Sequence, residues 1–471
     1  MANSKNNLTE GSVLKSLMTL SIPIISANIL NTAYQLTDTF WVGRLGVDAV
    51  AAVSISFPLL FLLIALGSGL SISGTILVAQ YKGKNDQGST DHIAGQTIIM
   101  VLLVSLVLSV VGYIFAPAII KSMGTNEAVF VDAVAYLKVS LIGIVFLFFF
   151  SVFQALMRGA GEVKTPMYII LGTVILNFIL DPLFIFGYGF IPATGVAGAA
   201  WASIGTQALS AIIAMFMLFG KKYHIKLHLK DLKPDFDVIK KLFKLGFPAS
   251  IEQTTRALGL TIMIFLVSSF GTVAIAAYGI GLRILSFIII PALGLSMATA
   301  TLVGQNIGAG KIERAERITK ISALLGFVTL TLVGIIIFIF ARQISAVFIP
   351  GEIETIQSST LFIKIVALTF GLICVQQVLS GAFIGSGNTF ISMILSIVSL
   401  WVLRFPLAYF LSHHTKLAEV GIWIAFPITN IVGVIIAMLW FAKGTWKEKN
   451  ITDEFKMSEK ISEETIIEEG L

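Results

Sequence analysis

Of 471 residues, 56% are hydrophobic and only 12% charged, and the mean hydropathy is +0.93. A soluble globule could not cover such a composition with polar groups, so the chain reads as a polytopic membrane protein. The net charge of +6 sits in the connections and needs no nucleic acid to explain it, and a single cysteine, Cys374, excludes internal disulfides and cysteine metal sites.

The polar opening MANSKNNLTEGSVLKS has no signal-peptide pattern, which makes the first span an uncleaved one. Apolar stretches long enough for a bilayer core of roughly 30 Å lie near 14–41, 48–78, 93–116, 129–157, 165–187 and 195–220. Six more lie near 238–269, 272–303, 318–348, 358–384, 389–411 and 418–442. The expectation is an all-α membrane protein of twelve transmembrane helices in two six-helix lobes related by a pseudo-two-fold axis. Its parts are an N-terminus 1–12, a first lobe 13–220, a linker 221–237, a second lobe 238–442 and a charged tail 443–471. Lys and Arg concentrate in the even-numbered connections, at Lys82, Lys84, Arg158, Lys164, Lys311, Arg314, Arg317 and Lys320 and in the basic joint between the halves. Positive loops stay inside, so both termini are expected in the cytoplasm of a cell-membrane protein. The linker KKYHIKLHLKDLKPDFD is basic and amphipathic, suited either to an anionic inner leaflet or to plain solvation.

Residues 13–84 superpose on 238–309 with a constant shift of 225 and no gap, and about twenty positions are identical. They include Pro23 with Pro248, Gly46 with Gly271, Gly69-Leu70-Ser71 with Gly294-Leu295-Ser296, and Gln80 with Gln305. At a shift of 226, Gly159-Ala160-Gly161 meets Gly385-Ser386-Gly387. Duplicated membrane modules are usually carriers, because two similar bundles can rock about a shared axis. The repeat does not copy the acids: Asp38 meets Met263, and Asp181 falls near Phe405.

An ionisable side chain at bilayer depth is a functional candidate by default. On the first span, Pro23 removes a backbone donor and is a natural hinge, though Pro248 repeats it and a purely architectural role stays open. Asn31, Tyr34, Gln35 and Asp38 then form a polar stripe at helical spacing. On span four, Tyr136 and Gln154 lie five turns apart on one face. On span five, Asn177 and Asp181 project together, and Pro182 follows; Ser203 on span six adds a hydroxyl. Two carboxylates, an amide oxygen and a hydroxyl are hard oxygen ligands suited to an alkali cation such as Na⁺, or to a shared proton. The duller alternative is that Asp38 and Asp181 staple helices. In the second half, Glu252 and Arg256 at i, i+4 can neutralise each other, Met263 fits an apolar cavity wall, and Arg283 and Arg404 could bind a helix end or an anionic substrate group, with structure favoured. No catalytic constellation emerges, the five histidines all fall in connections, and no phosphate loop is present, so neither an enzyme nor direct use of ATP is expected.

The run IPIISANILNTAYQLTDTFWVGRLG, with AAVSISFP, VAQYKGK, RGAGEVKTPM, LNFILDPLFIFG and GVAGAAWAS, resembles the multidrug and toxic compound extrusion family over about residues 13–442. The resemblance implies two six-helix lobes around a cavity that opens alternately to each side. It also implies export of amphipathic, often cationic compounds against inward H⁺ or Na⁺, with no cofactor besides the coupling ion and no need for an oligomer. Carried over, Asp38 is the first-helix aspartate whose protonation is linked to bending at Pro23. Asn177, Asp181 and Ser203 fall in the ion site, and Tyr136 and Gln154 in its polar network. The tenth span, GLICVQQVLSGAFIGSG, lacks the acid of NorM-type relatives, which points to the DinF-like and archaeal branch with ion work in the first lobe. A lipid-linked oligosaccharide flippase of the same superfamily is the alternative; it calls for a strongly cationic cavity, for which the chain offers chiefly Arg256, Arg283 and Arg404.

Overall fold

A computed structural model describes residues 8–189, 192–220, 223–447 and 451–452. The first seven residues, 221–222 of the linker and the acidic tail from Asp453 lie outside the described residues. Six long helices come from the first half: α1 (Val13–Val42), α2 (Val47–Gly83), α3 (Gln87–Ser122), α4 (Glu127–Gly159), α5 (Lys164–Phe186) and α6 (Val196–Phe219). The second half supplies α7 (Phe236–Ser268), α8 (Thr272–Gly308), α9 (Ile312–Ile339), α10 (Ala341–Phe348), α11 (Ile353–Ala367) and α12 (Phe370–Gly385). It ends with α13 (Thr389–Ile397), a π-helical stretch over Val398–Arg404, α14 (Phe405–His413) and α15 (Glu419–Ala442).

Ten of these spans are long and apolar enough to cross a membrane, and an eleventh is the pair α11–α12, bent by 51°. The remaining long helix is α7, of 33 residues, in which Glu252, Gln253 and Arg256 interrupt the apolar run. Helix starts are written locally where loops are short. Asp86 accepts from the amide of Ser89 ahead of α3, and Asn126 from the amide of Val129 ahead of α4, each satisfying a donor that the first turn leaves free. Repeated glycines mark the stops. Gly46 (φ 117°) and Gly271 (φ 92°) follow α1 and α7, and Gly161 (φ 85°) and Gly387 (φ 82°) follow α4 and α12, a backbone region that favours glycine.

Two compact units divide the chain: residues 1–25, 79–85 and 254–471 form one, and 26–78 and 86–253 the other. Both α1 and α7 therefore leave one unit and enter the other along their length, α1 after Ile25 and α7 after Gln253. The sequence repeat is matched at two helix crossings. In one unit a Cβ on Gly69 of α2 would strike Ser250 of α7; in the other a Cβ on Gly294 of α8 would strike Ile25 of α1, and both members of each pair are related by the shift of 225. Likewise Gly83 lies against the carbonyl of Gln305 and Gly308 against that of Gln80. These glycines recur because two helix backbones touch there and no side chain fits.

Within the second of these units the basic linker is tied to the start of α3. Gln96 donates to the carbonyls of Asp231 and Lys233 at 2.9 and 2.7 Å and accepts from the amide of Asp235 at 2.8 Å. Asp91 accepts from the amide of Lys226 and from Gln87, whose side chain also reaches the carbonyl of His224. In the first unit, residues 8–11 ahead of α1 are held in the same manner. Asn306 donates to Leu8, Lys311 to Thr9, and Arg314 to Glu10 and Gly11.

Candidate functional site

The polar groups of the first half converge from three helices of one unit. Asp38 comes from the last third of α1, Asn177 and Asp181 from one face of α5, and Ser203 from the early part of α6. On α5 the pair is forced together by the four-residue spacing: Asn177 Nδ2 donates to Asp181 Oδ1 at 2.9 Å, and both residues are fully buried. Ser203 Oγ donates to Asp38 Oδ2 at 3.1 Å, joining α6 to α1. Asp38 lies close enough to Asp181 and Asn177 for each to act on it electrostatically.

That packing supplies too few donors. Carboxylates offer only acceptors, and Asp38 Oδ1, Asp181 Oδ2 and Asn177 Oδ1 are all buried with no hydrogen-bond partner. A buried polar atom left unpaired costs on the order of 1–3 kcal/mol, and more when charged. One proton between the two acids, or one small cation among the three oxygens, satisfies them together. The donor set is all oxygen, which suits an alkali ion rather than a soft metal, and no cluster of three His, Cys, Asp or Glu occurs among the described residues.

Around this centre the predicted polar residues take different places. Tyr34 lies one turn before Asp38 and bonds Thr206 Oγ1 at 2.6 Å and the carbonyl of Ser203 at 3.4 Å. Thr206 in turn donates to the Ser203 carbonyl and accepts, through its own carbonyl, from Ser210. Thr206 was not singled out from the sequence, where one threonine in an apolar helix carries no signal; its place three residues after Ser203 is the only clue. Tyr136 on α4 lies within electrostatic range of both acids. Gln154 is half-buried and makes no hydrogen bond among the described residues, and Asn31 is exposed. Pro23 is buried, and α1 runs helical through it. Beyond Asp38, Trp41 packs against Phe178 and Phe186 of α5 at 5.5 and 6.4 Å, with Arg44 over Phe40 and Trp41.

The second-half candidates do not form a comparable cluster of acids. Glu252 is buried. Arg256 donates to Gln377 Oε1 at 2.5 Å and to Ser396 at 3.3 Å. Met263 is buried beside Tyr278 and Arg404, and Arg283 is exposed, its guanidinium 5.5 Å from the centre of the Phe348 ring. Arg404 donates to Thr429 and Asn430 of α15, and Asn430 to Thr369 at the bend between α11 and α12.

The MatE family model matches residues 23–183 and again 248–410, so each match begins at one of the repeated prolines, Pro23 and Pro248. A probable multidrug resistance protein of Bacillus subtilis, YoeA, is 31% identical over 94% of this chain and 96% of its own length. A FAD transporter of Shewanella oneidensis is 24% identical, covering 91% of this chain and 94% of its own. A crystal structure of MATE in the straight conformation superposes with a TM-score of 0.88 at 27% identity, covering 95% of this chain and all of that one. Two matched MatE segments, the relation to YoeA and the shared architecture together place this chain in the MATE family of membrane transporters.

Proposed function

We propose that this protein is a secondary multidrug exporter that moves amphipathic small molecules out of the cell in exchange for H⁺ or Na⁺, with the ion held in the first half by Asp38, Asn177, Asp181 and Ser203. The observation that carries the reading is the trio of buried, partnerless oxygens at Asp38, Asp181 and Asn177. A static crosslink satisfies them only by holding a permanent proton, whereas an exchanger needs a site that is costly when empty and satisfied when loaded. The relation to a probable multidrug resistance protein supports the export of drugs.

In this reading residues 13–220 and 238–442 act as the two lobes of an alternating-access carrier, and both termini face the cytoplasm. An ion entering from outside joins Asp38 to Asp181, drawing the end of α1 onto α5. Strain from that closure is relieved where α1 lacks a backbone hydrogen bond, at Pro23. Coupling follows only if ion and substrate favour different states, because a ligand bound equally by both shifts nothing. Tyr34, Thr206 and Ser203 hold α1 against α6 and set the geometry at Asp38. The function needs no catalytic step and no cofactor beyond the coupling ion. The relative named a FAD transporter supports a second reading of the substrate, an aromatic compound that carries negative charge.

The test is ethidium accumulation in an efflux-deficient bacterium at matched membrane levels of wild type and Asp38→Asn. Lower accumulation with wild type alone supports the reading, and exchange of sodium for potassium names the ion. Equal efflux by Asp38→Asn sinks it.

A further inference from the structure

In the second half, the segment that turns from α13 into α14 through seven π-helical residues ends at Arg404. Single π-turns cluster at functional sites, because the extra residue per turn re-aims a side chain. The Arg404 guanidinium is bonded through Nε to Thr429 Oγ1 at 3.1 Å and through one terminal nitrogen to Asn430 Oδ1 at 2.7 Å, and it lies 4.6 Å from the centre of the Phe426 ring. All these partners are neutral. Among the described residues no carboxylate pairs with it. A cation set among aromatic and aliphatic side chains at membrane depth, without a counter-charge, is costly.

A pocket of about 20 Å³ opens beside it, lined by Met263, Tyr278, Trp401, Arg404, Phe405 and Phe426 among others. Tyr278 is 1% exposed, and its hydroxyl is a buried donor with no hydrogen-bond partner. It lies within electrostatic reach of Arg404. Buried tyrosine hydroxyls nearly always find an acceptor. A fixed positive charge and an idle donor therefore line one apolar pocket, large enough for a water-sized group.

We propose that Arg404 and Tyr278 form an anion-binding site in the second half, which takes a small monoanion, a halide or the terminal oxygens of a carboxylate. The guanidinium supplies charge, the Tyr278 hydroxyl a directed hydrogen bond, and Phe405, Phe426 and Trp401 the aromatic wall of the pocket. Asp38 and Asp181 have no part in it, and the two sites belong to different compact units. As a subsite for transported compounds it rests on the export reading above. Binding of an anion does not, so the two can fail separately.

The experiment is thermal unfolding of the purified full-length protein in detergent, titrated with choline salts so that no sodium loads the acids. Choline benzoate is compared with neutral benzamide, and choline chloride with choline gluconate. The expected result is a saturable rise in melting temperature with benzoate or with chloride and none with benzamide. Tyr278→Phe should weaken the saturating anion about ten-fold, the effect of one hydrogen bond to a charged group, and Arg404→Gln should abolish the response. Saturation by benzoate identifies an organic acid as the ligand, and saturation by chloride alone identifies a halide; either supports the site. Because the Tyr278 hydroxyl bonds nothing in the protein, a merely structural role predicts an unchanged titration in Tyr278→Phe. That result overturns the proposal, as does the absence of any saturable anion response in wild type. Should Arg404→Gln fail to fold, the Tyr278→Phe comparison stands alone.

Discussion

Asp181→Asn should make the protein more stable while disabling it. The new amide keeps an acceptor for Asn177 Nδ2, now at 2.9 Å from Asp181 Oδ1. It also places two N–H donors where Asp181 Oδ2 and Asp38 Oδ1 both lack a partner. One buried like charge is removed and at least one orphaned acceptor is satisfied, a gain of about 1–3 kcal/mol. In a chain of this size that corresponds to a rise of roughly 1–5 °C in melting temperature. Asp181→Ala has the opposite sign. It strands the Asn177 amide and opens a small void, for a loss of about 2–4 kcal/mol. The assay is fluorescence-detected unfolding of both variants in mildly alkaline choline buffer, paired with efflux at matched expression. If Asp181→Asn melts below wild type, as the alanine variant does, the two acids are a structural staple and the reasoning from unpaired oxygens is wrong.

Ser203→Ala removes the donor to Asp38 Oδ2 and should lower ion-driven efflux several-fold; Ser203→Thr, which keeps the hydroxyl, should retain it, and loss in both would assign the residue to helix packing. Gln96→Ala breaks three bonds to the linker. At about 1 kcal/mol each, limited proteolysis at 224–235 should speed up well over ten-fold, and an unchanged rate would show that the linker is held by other contacts. Gly308→Val forces a branched side chain into the Gln80 carbonyl, and it should abolish accumulation of folded protein, read by size-exclusion profile; a normal profile would contradict the backbone-to-backbone crossing.

Much of the architecture was legible because bilayer depth and duplication both leave simple marks. Apolar runs gave the spans, and the shift of 225 gave a repeat whose glycines prove to be touching points of paired helices, as at Gly69 and Gly294. The 51° bend between α11 and α12 was not legible. No proline marks it, and it is supported by a side chain from far along the chain, Asn430, bonding Thr369. Within the site, spacing alone joined Asn177 to Asp181, since i and i+4 share a face on any helix. The polar stripe on α1 was only partly informative: Tyr34 and Asp38 turn inward to α6, while Asn31 and Gln35 are exposed. Thr206 was invisible because its role depends on which helix stands opposite. For Arg404 the sequence left a helix-end contact and an anionic group both open, since nothing in it marks the π-helical stretch that precedes the residue.

The central claim is that substrate movement is tied to ion movement through Asp38. Purified protein in liposomes, given an outward-directed ethidium gradient and no ion gradient, tests it most directly by following internal pH and sodium. The account predicts that wild type pumps one of the two ions against the substrate flow, and that Asp38→Asn pumps neither while remaining folded. Ethidium flux with no ion movement in wild type, or ion movement that persists in Asp38→Asn, would contradict it.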